Sequence, residues 1–290
     1  TRTFDVGFVS DWSWFKARNG SGYGHQLYDS SRGVTKRLFS NTTAAESTNA
    51  EGVIDFDDSG TLLKIGTDAF LNEDGTTMVI WNWKANGGTT TTNDASATGI
   101  GSQDSVYQAN TTSGFSIVTY TGTGSNDTFA HGVQVNGVAT APNWIIHKRR
   151  DSAQHWVHYH VGIGNTRSVL FNTDAQNSAS AVNFNNTSPT STVFSLGTDA
   201  YANASGGTYV AYCFADVEGY SKFGSYIGNG LNDGTFIYTG FRPAFILVKS
   251  LSSGRNWPMY DSVRDVDNPA GSYLAANLID VEFDSASSYA

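Results

Sequence analysis

Cysteine, proline and charged residues are all scarce in this chain of 290 residues. Its single cysteine, Cys213, excludes an intrachain disulfide and any cysteine-based metal cluster. Five prolines and no sustained helical periodicity argue against a helical protein. No apolar run reaches the roughly 18 residues that a helix needs to span a bilayer, so we expect no membrane insertion. Acidic residues outnumber basic ones, 26 against 17, and the net charge of −9 predicts no nucleic-acid partner.

The abundant residues are those typical of β-sheet proteins. Aromatic side chains make up 13% of the sequence, glycine occurs 31 times, and threonine, serine and asparagine fill many polar positions. Apolar segments separated by glycine-, asparagine- and aspartate-containing turns predict an all-β fold. Residues 41–51, which are rich in alanine, could hold one short helical turn. Cys213 lies in the apolar run 209–214 and is expected in a buried strand.

Self-comparison of the sequence identifies three copies of one unit. Each copy begins with an aromatic-rich apolar strand that ends in lysine, at residues 11–18, 142–149 and 243–249. A tyrosine followed by aspartate or histidine comes 11 or 12 positions after that lysine, as Tyr28-Asp29, Tyr159-His160 and Tyr260-Asp261. The shared register predicts that the three segments adopt the same structure.

The first two copies share a further motif, Gly-Thr-Asp, at residues 66–68 and 197–199, which lie 131 positions apart. A long aromatic strand follows in both, at residues 77–83 and 208–214. Residues 115–124 and 223–230 also resemble each other and predict strand–turn–strand connectors. The third copy ends before the corresponding motif, so we expect a half-sheet with an open edge, which another chain or further sequence completes.

Strand spacing within these repeats predicts tandem antiparallel β-sandwiches, one two-sheet sandwich for each unit. We expect repeat 1 at residues 1–108, repeat 2 at residues 109–219 and a partial repeat 3 at residues 220–290. Offsets of about a hundred residues suit sandwich domains better than the short coils of a solenoid.

Catalytic signals are weak, and we predict that the protein is not an enzyme and has no cofactor. No Gly-x-Ser-x-Gly elbow occurs. Glycoside hydrolysis is the main enzymatic alternative, since residues 280–284 alternate Asp280, Glu282 and Asp284 on one strand face. The order of residue types does not match a sandwich-fold glucanase, and the acidic stretch 53–58 of the first copy favours architecture over an active centre.

Metal binding is also not predicted. His155, His158 and His160 are close in sequence, but only His158 and His160 share a strand face, and the other copies carry no histidine there. Calcium could bind at Asp57-Asp58 or at residues 72–74. Neither stretch has EF-hand spacing, and the sequence leaves calcium binding open. The basic run at residues 147–150 follows a strand and is interpreted as a solvated strand end, with a phosphate or acidic-glycan contact as the alternative.

Two tryptophan pairs are the candidate ligand-binding residues. Each pair has i, i+2 spacing and therefore lies on one strand face: Trp12 with Trp14, and Trp81 with Trp83. Exposed rings of this kind stack on sugars, whereas buried ones form a core. The sequence favours the core and keeps a glycan-binding face as the alternative.

Three stretches carry a resemblance to a known family: APNWIIHKRRDSAQHWVHYH, GTDAYANASGGTYVAYCFADVEGYSKFGSYIGNG and TGFRPAFILVKS. They resemble a domain of unknown function found in tail-fibre and other structural proteins of aquatic tailed phages. The resemblance covers residues 109–290 well and the first copy more loosely, where Ser10-Asp11 replaces an x-Pro pair. It implies sandwiches of the jelly-roll or concanavalin-A-like lectin type, and it supplies no catalytic residues to carry over to this sequence.

The hypothesis that follows is a structural subunit of a virion or extracellular fibre or filament. It would assemble with copies of itself as a homo-oligomer or helical filament. A lectin-like module that binds a cell-surface glycan is the alternative, and an endoglycosidase is a less favoured one.

Overall fold

The computed structural model of the protein describes residues 1–20, 22–56, 60–231, 233–266 and 270–284. Nearly all regular structure in these ranges is β, which confirms the all-β prediction. No helix in these ranges has the length and apolar character required to cross a membrane.

The strands in chain order are β1 (Arg2–Asp5), β2 (Trp12–Ala17), β3 (Gln26–Asp29), β4 (Lys36–Leu38), β5 (Ser47–Thr48), β6 (Val53–Asp55), β7 (Leu62–Ile65), β8 (Met78–Trp83), β9 (Thr91–Asn93), β10 (Ser105–Ala109), β11 (Phe115–Thr121), β12 (Asp127–Ala130), β13 (Gln134–Val135), β14 (Val138–Ala139), β15 (Trp144–Arg149), β16 (Val157–His160), β17 (Gly164–Leu170), β18 (Ser178–Ala179), β19 (Val193–Leu196), β20 (Thr208–Phe214), β21 (Phe245–Leu247), β22 (Pro258–Asp261), β23 (Ser272–Ala275) and β24 (Phe283–Asp284). The helices are α1 (Ala69–Asn72), α2 (Ala95–Thr98) and α3 (Ala200–Asn203).

Three antiparallel meanders repeat one strand order. Meander 1 is β2–β5, meander 2 is β15–β18, and meander 3 is β21–β24. A long strand joins the first strand of two of them: β8 pairs with β2, and β20 pairs with β15. The sheet of meander 2 then continues through β11, β10 and β9 to eight strands. This sheet includes strands on both sides of the expected repeat boundary at residues 108–109.

The outer faces of meanders 1 and 2 are covered by smaller sheets in a sandwich-like arrangement. The sheet β1-β7-β6 covers meander 1, and its Leu63 and Ile65 pack in a buried cluster with Phe15. The pair β12-β19 covers meander 2 through Phe129 and Phe194. Successive side chains of β8 and β20 point to opposite faces of the sheet, so each of these strands contributes to packing on both sides.

The inner faces of all three meanders share one apolar core. Trp14 from meander 1, Ile146 and Trp156 from meander 2, and Trp257 and Met259 from meander 3 belong to the same buried cluster. The three sheets therefore fold around a common centre rather than as separate beads.

A ring of matching hydrogen bonds joins the meanders around this core. In each meander, the lysine at or just after the end of the first strand donates to a backbone carbonyl in a loop of a neighbouring meander. The bonds are Lys16 to Ile279 (3.3 Å), Lys148 to Thr43 (2.9 Å) and Lys249 to Asp174 (2.8 Å). Meander 1 thus contacts 3, meander 2 contacts 1, and meander 3 contacts 2, which closes the ring.

A second set of ring-nitrogen contacts repeats this pattern. It consists of His25 Nε2 with the Ala275 carbonyl (2.9 Å), Trp156 Nε1 to the Phe39 carbonyl (2.9 Å) and Trp257 Nε1 to the Leu170 carbonyl (3.2 Å). The recurrence of both contact types gives the chain an internal arrangement close to threefold.

The Gly-Thr-Asp motif forms a helix start in both copies. The Asp68 and Asp199 carboxylates cap α1 and α3 by accepting from the backbone N–H of Phe70 and Tyr201. A Cβ on Gly66 would clash with the backbone carbonyl of Glu51, and one on Gly197 would clash with that of Val182. The glycine is therefore needed for close backbone approach.

Three local expectations are wrong. The second connector, residues 223–230, contains no strand. Its counterpart in the second unit, β11, pairs with β20, and no strand in the described ranges offers residues 223–230 the same pairing. The basic run is not a solvated strand end: His147 and Lys148 are buried, and Arg150 pairs with Glu46. Residues 41–51 contain no helical turn.

Candidate functional site

A wide apolar groove runs between meander 3, the long strand β8 and the surface of meander 2. Its volume is about 1900 Å³, which exceeds the roughly 300–1,000 Å³ of small-molecule pockets. The lining includes the whole of β8, the whole of β21 and Trp144 of meander 2. A site of this size and apolar character suits a polypeptide better than a small ligand.

Two unpaired strand edges border the groove. Within the described part of the chain, β8 pairs only with β2, and β21 pairs only with β22. An unpaired edge presents a row of backbone N–H and C=O groups that can accept another strand. The groove therefore combines apolar side chains with free backbone hydrogen-bonding capacity.

Comparison with meander 2 identifies what the groove lacks. There β20 lies between β15 and β11, and Phe115 of β11 packs on Phe214 with ring centroids 4.8 Å apart. In the third unit, Phe223 occupies the position of Phe115: it lies 5.9 Å from Trp144, as Phe115 lies 6.0 Å from Trp12. No described strand lies between β21 and the segment that begins at Phe223.

The segment that follows Phe223 is exposed and apolar. Ile227 is 88% exposed, Phe236 87% and Tyr238 78%, and residues 222–244 form no strand where they are described. The corresponding residues of the second unit form β11 and β12, which pair with β20 and β19. No described strand pairs with this apolar segment.

A polar contact marks the centre of each long strand. Tyr212 of β20 donates its hydroxyl to Asp29 of meander 1 at 2.7 Å, and Trp81 of β8 donates Nε1 to Asp261 of meander 3 at 3.1 Å. Each aspartate forms an ion pair with the arginine three positions later: Asp29 with Arg32 and Asp261 with Arg264, both at 2.5 Å. Each long strand is thus tied to the next meander around the ring.

His160 occupies the corresponding position on meander 2. It is the register partner of Trp144, as Asp29 is of Trp12 and Asp261 is of Phe245. It lines the groove half-buried, and burial lowers its pKa. The sequence aligned His160 with the two aspartates. It did not identify His160 as a groove residue, because the groove is lined by β8 and β21, which are distant from His160 in the chain.

The four candidate tryptophans lie in or beside the shared core. Trp12 and Trp14 are 1% exposed, so neither presents a ring face to a ligand in this structure. Trp81 is 8% exposed and Trp83 is half-buried, and both line the groove. Of the four rings, that of Trp83 is the most accessible.

The other candidate groups are distributed rather than clustered. No group of three or more His, Cys, Asp or Glu could hold a metal ion in the described ranges. His158 is buried and accepts from Trp144 Nε1 at 3.1 Å, while the His155 ring contacts Asn172. Glu282 forms ion pairs with Arg18 and Arg264, at 2.8 and 2.7 Å. Asp57 and Asp58, one of the possible calcium turns, lie outside the described residues.

Cys213 is confirmed as a buried strand residue, and burial raises the pKa of its thiol. It packs in the cluster between β20 and the pair β12-β19.

Comparison with known proteins gives one match. No curated protein and no solved structure matches the chain. A family model described as a domain of unknown function (DUF7483) matches residues 1–290. The chain therefore belongs, over its whole length, to this family of unknown function.

Proposed function

We propose that this protein is a structural subunit of an extracellular or virion fibre, which assembles with copies of itself through its β-rich modules. The observation that carries this proposal is the groove, in which an apolar lining adjoins the unpaired edges of β8 and β21. Strand addition at such edges is a general mode of protein association. A lattice of backbone hydrogen bonds suits a load-bearing assembly better than a transient encounter.

The proposal includes a jelly-roll or concanavalin-A-like origin for the sandwich units. The support is the two-layer packing of the first two units, in which the sheets β1-β7-β6 and β12-β19 each cover a larger sheet. The same proposal leaves the protein without an enzymatic role.

Light scattering after size-exclusion chromatography, over a range of protein concentrations, tests assembly, with electron microscopy of the concentrated sample. We expect species larger than the monomer and elongated particles at high concentration. A compact monomer at every concentration would contradict the proposal.

Ile246→Lys tests whether the groove is the assembly surface. Ile246 is 45% exposed on β21, so a lysine there is tolerated by the fold and places a charge in the contact. Val138→Lys, at a 66% exposed position on β14, is the matched control. We expect the first variant to assemble less and the second to assemble like the wild type.

Glycan binding at the mouth of the groove is a second candidate, favoured by the half-buried Trp83 beside Asn82. A glycan array tests it with the wild type, Trp83→Ala and the control Val161→Ala, whose side chain is 45% exposed outside the groove. Loss of array binding in Trp83→Ala alone would support this function. No binding by the wild type would exclude it for the arrayed glycans.

A further inference from the structure

Meander 3 packs against a buried histidine on each of its two neighbours. His25, next to β3 in meander 1, brings its Nε2 within 2.9 Å of the Ala275 carbonyl of meander 3. His158 of β16, in meander 2, has its ring centroid 5.3 Å from that of Trp257 in meander 3. Both histidines are 0% exposed. These interface histidines, His25 and His158, therefore lie where meander 3 meets the rest of the chain.

Each interface histidine accepts a hydrogen bond from a tryptophan of its own meander. Trp14 Nε1 donates to His25 Nδ1 at 2.9 Å, and Trp144 Nε1 donates to His158 Nδ1 at 3.1 Å. An imidazole nitrogen accepts only when it carries no proton, so each ring is neutral, with its proton on Nε2. In His25 this proton is donated to Ala275. Among the described residues, no group accepts a hydrogen bond from Nε2 of His158.

Protonation of either interface histidine disrupts this arrangement. A proton on Nδ1 removes the acceptor and leaves the N–H groups of the imidazolium and the indole facing each other. The new positive charge would also lie in an apolar core, where an ion without a partner of opposite charge is strongly unfavourable. Around His158 that core includes Phe171 and Trp257, whose ring centroids lie 4.6 and 5.3 Å from its own.

Basic residues next to His25 add to the cost of protonating it. Burial lowers its pKa well below the usual value, and the charges of Lys16 of β2 and Arg264 of meander 3 lower it further. The Ala275 carbonyl acts in the opposite direction without compensating for them. Burial, partly offset by Asp280, lowers the pKa of Lys16 to about 8, so this lysine is charged at acidic pH.

The groups around His158 also disfavour a charge on its ring. Burial lowers its pKa well below the usual value, and His147 of β15 and His160 of β16 lower it further. From meander 3, Lys249 Nζ lies 5.7 Å from the ring centroid of Trp257, which itself contacts His158. These titratable neighbours are all basic, so none of them compensates an imidazolium charge.

We propose that the interface histidines make the packing of meander 3 sensitive to acid: when both rings are protonated, meander 3 leaves the shared core while meanders 1 and 2 stay joined. The contacts between meanders 1 and 2 include the bond from Trp156 Nε1 to the Phe39 carbonyl and the ion pair of Arg150 with Glu46, which contain no histidine. Because β21 lines the groove, this release also removes one side of the groove. The inference concerns a single chain and does not depend on assembly.

The direction of the pH effect follows from proton binding. An exposed histidine titrates near about pH 6.5, whereas the packed rings stay neutral to lower pH. Below about pH 6.5 the released state therefore binds more protons than the packed state, and acid favours release by up to about tenfold per pH unit for each ring. Well above that pH neither state binds a proton at these rings, and the shared core stays closed.

The carboxylates that hold meander 3 stay ionised over most of this range. Asp261 accepts from Trp81, and Glu282 pairs with Arg18. Burial alone would raise the pKa of both acids, but bonds from Arg264 and, for Glu282, also from Arg18 hold it below the usual value. The range from about pH 4.5 to 6.5 therefore reports mainly on the interface histidines.

Hydrogen exchange of the dilute full chain, measured by mass spectrometry from about pH 4.5 to 7.5, tests the inference. Dividing each rate by that of the unstructured chain at the same pH gives an opening equilibrium constant. We expect this constant for β22 and β23 to rise as the pH falls below about 6.5, by up to about a hundredfold per pH unit, and to exceed that of β20. A flat constant, or equal constants for β20, β22 and β23 at each pH, would overturn the inference.

Glutamine variants of the interface histidines isolate their titration. Glutamine keeps a hydrogen-bond donor and an acceptor but does not titrate. His25→Gln or His158→Gln should reduce the slope to at most about tenfold per pH unit, and the double variant should remove it. His131→Gln is the matched control and should keep the wild-type slope. Burial lowers the pKa of His131 to about 4, and its Nε2 contacts the Thr190 carbonyl in the layer over meander 2.

A double variant with the wild-type slope, or a control that loses it, would also overturn the inference. If the double variant does not fold, the slopes of the single variants and the wild-type comparison of β20 with β22 and β23 decide the question.

Discussion

At the scale of single residues, buried charges are placed where the meanders meet. Asp29 and Arg32 have fully buried side chains 2.5 Å apart, and Glu46 bridges Arg32 to Arg150 of meander 2. A similar group, Asp261, Arg264 and Glu282, links to Arg18 on the other side of the ring. These ion-pair networks connect different meanders and are not isolated surface pairs.

Replacing Asp29 tests the importance of the first group. Asp29→Asn leaves Arg32 buried with less compensating charge and weakens the bond from Tyr212, so we expect a loss of about 3–5 kcal/mol in the free energy of unfolding. Asp151→Asn is the control, since Asp151 pairs with Arg149 at a 40% exposed side chain and should cost less than about 1 kcal/mol. Urea denaturation measures both, and equal losses would contradict the prediction.

The buried lysines predict an unusual pH dependence. Burial lowers the pKa of Lys148 to about 7, and that of Lys16 to about 8. An unfolded lysine titrates near pH 10.4, so between pH 7 and 10 the unfolded state binds more protons than the folded state. The free energy of unfolding should therefore rise with pH in this window, by up to about 1.4 kcal/mol per pH unit for each lysine.

Lys148→Met isolates this effect. The variant should show a smaller rise in unfolding free energy between pH 7 and 9 than the wild type, although it loses the bonds to Thr43 and Gln154. Urea denaturation at several pH values measures the slope. A variant with the wild-type slope would show that Lys148 stays charged when buried.

At the scale of the elements, the Gly-Thr-Asp motif sets the path between the two layers of a unit. The glycine lets two backbones approach, and the aspartate caps the short helix that leads into the long strand. The sequence identified this motif in two copies, but the need for glycine appears only when Val182 is placed against Gly197.

Gly197→Ala is expected to destabilise the protein by at least about 1–3 kcal/mol, because the added methyl meets rigid backbone rather than a side chain that can move. Gly234→Ala is the control: nothing lies within 4 Å of its Cβ position. Thermal denaturation of both variants measures the difference. A Gly197→Ala protein as stable as the control would contradict the assigned role.

At the scale of the whole molecule, the shared core makes the three meanders interdependent. Their inner faces contribute to one buried cluster, and the lysine contacts close around it. Units joined in this way should unfold together, unlike tandem domains connected by linkers.

We therefore expect a single unfolding transition for the chain. Hydrogen exchange in mild denaturant should give similar opening free energies for the central strands β2, β15 and β20. Calorimetry should give equal calorimetric and van't Hoff enthalpies. Two resolved transitions, one for each covered unit, would contradict the shared-core description.

The sequence by itself determined the all-β class, the buried strand around Cys213 and the recurrence of aromatic strands, because these follow from composition, period-2 patterning and self-similarity. It also aligned Tyr28-Asp29 with Tyr159-His160 and Tyr260-Asp261 before any contact was known.

Only the tertiary structure decided which faces of those strands meet. Trp12, Trp14 and Lys148 are buried where three sheets converge on one centre, and local spacing carries no information on that convergence. His147 is buried on the opposite face of its sheet, against Phe184 and Phe194. The open edge of β21 was expected from the incomplete third copy, but its apolar groove and the position of His160 depend on β8 and meander 2. Strand pairing and packing join residues far apart in the chain, so the groove exists only in the folded molecule.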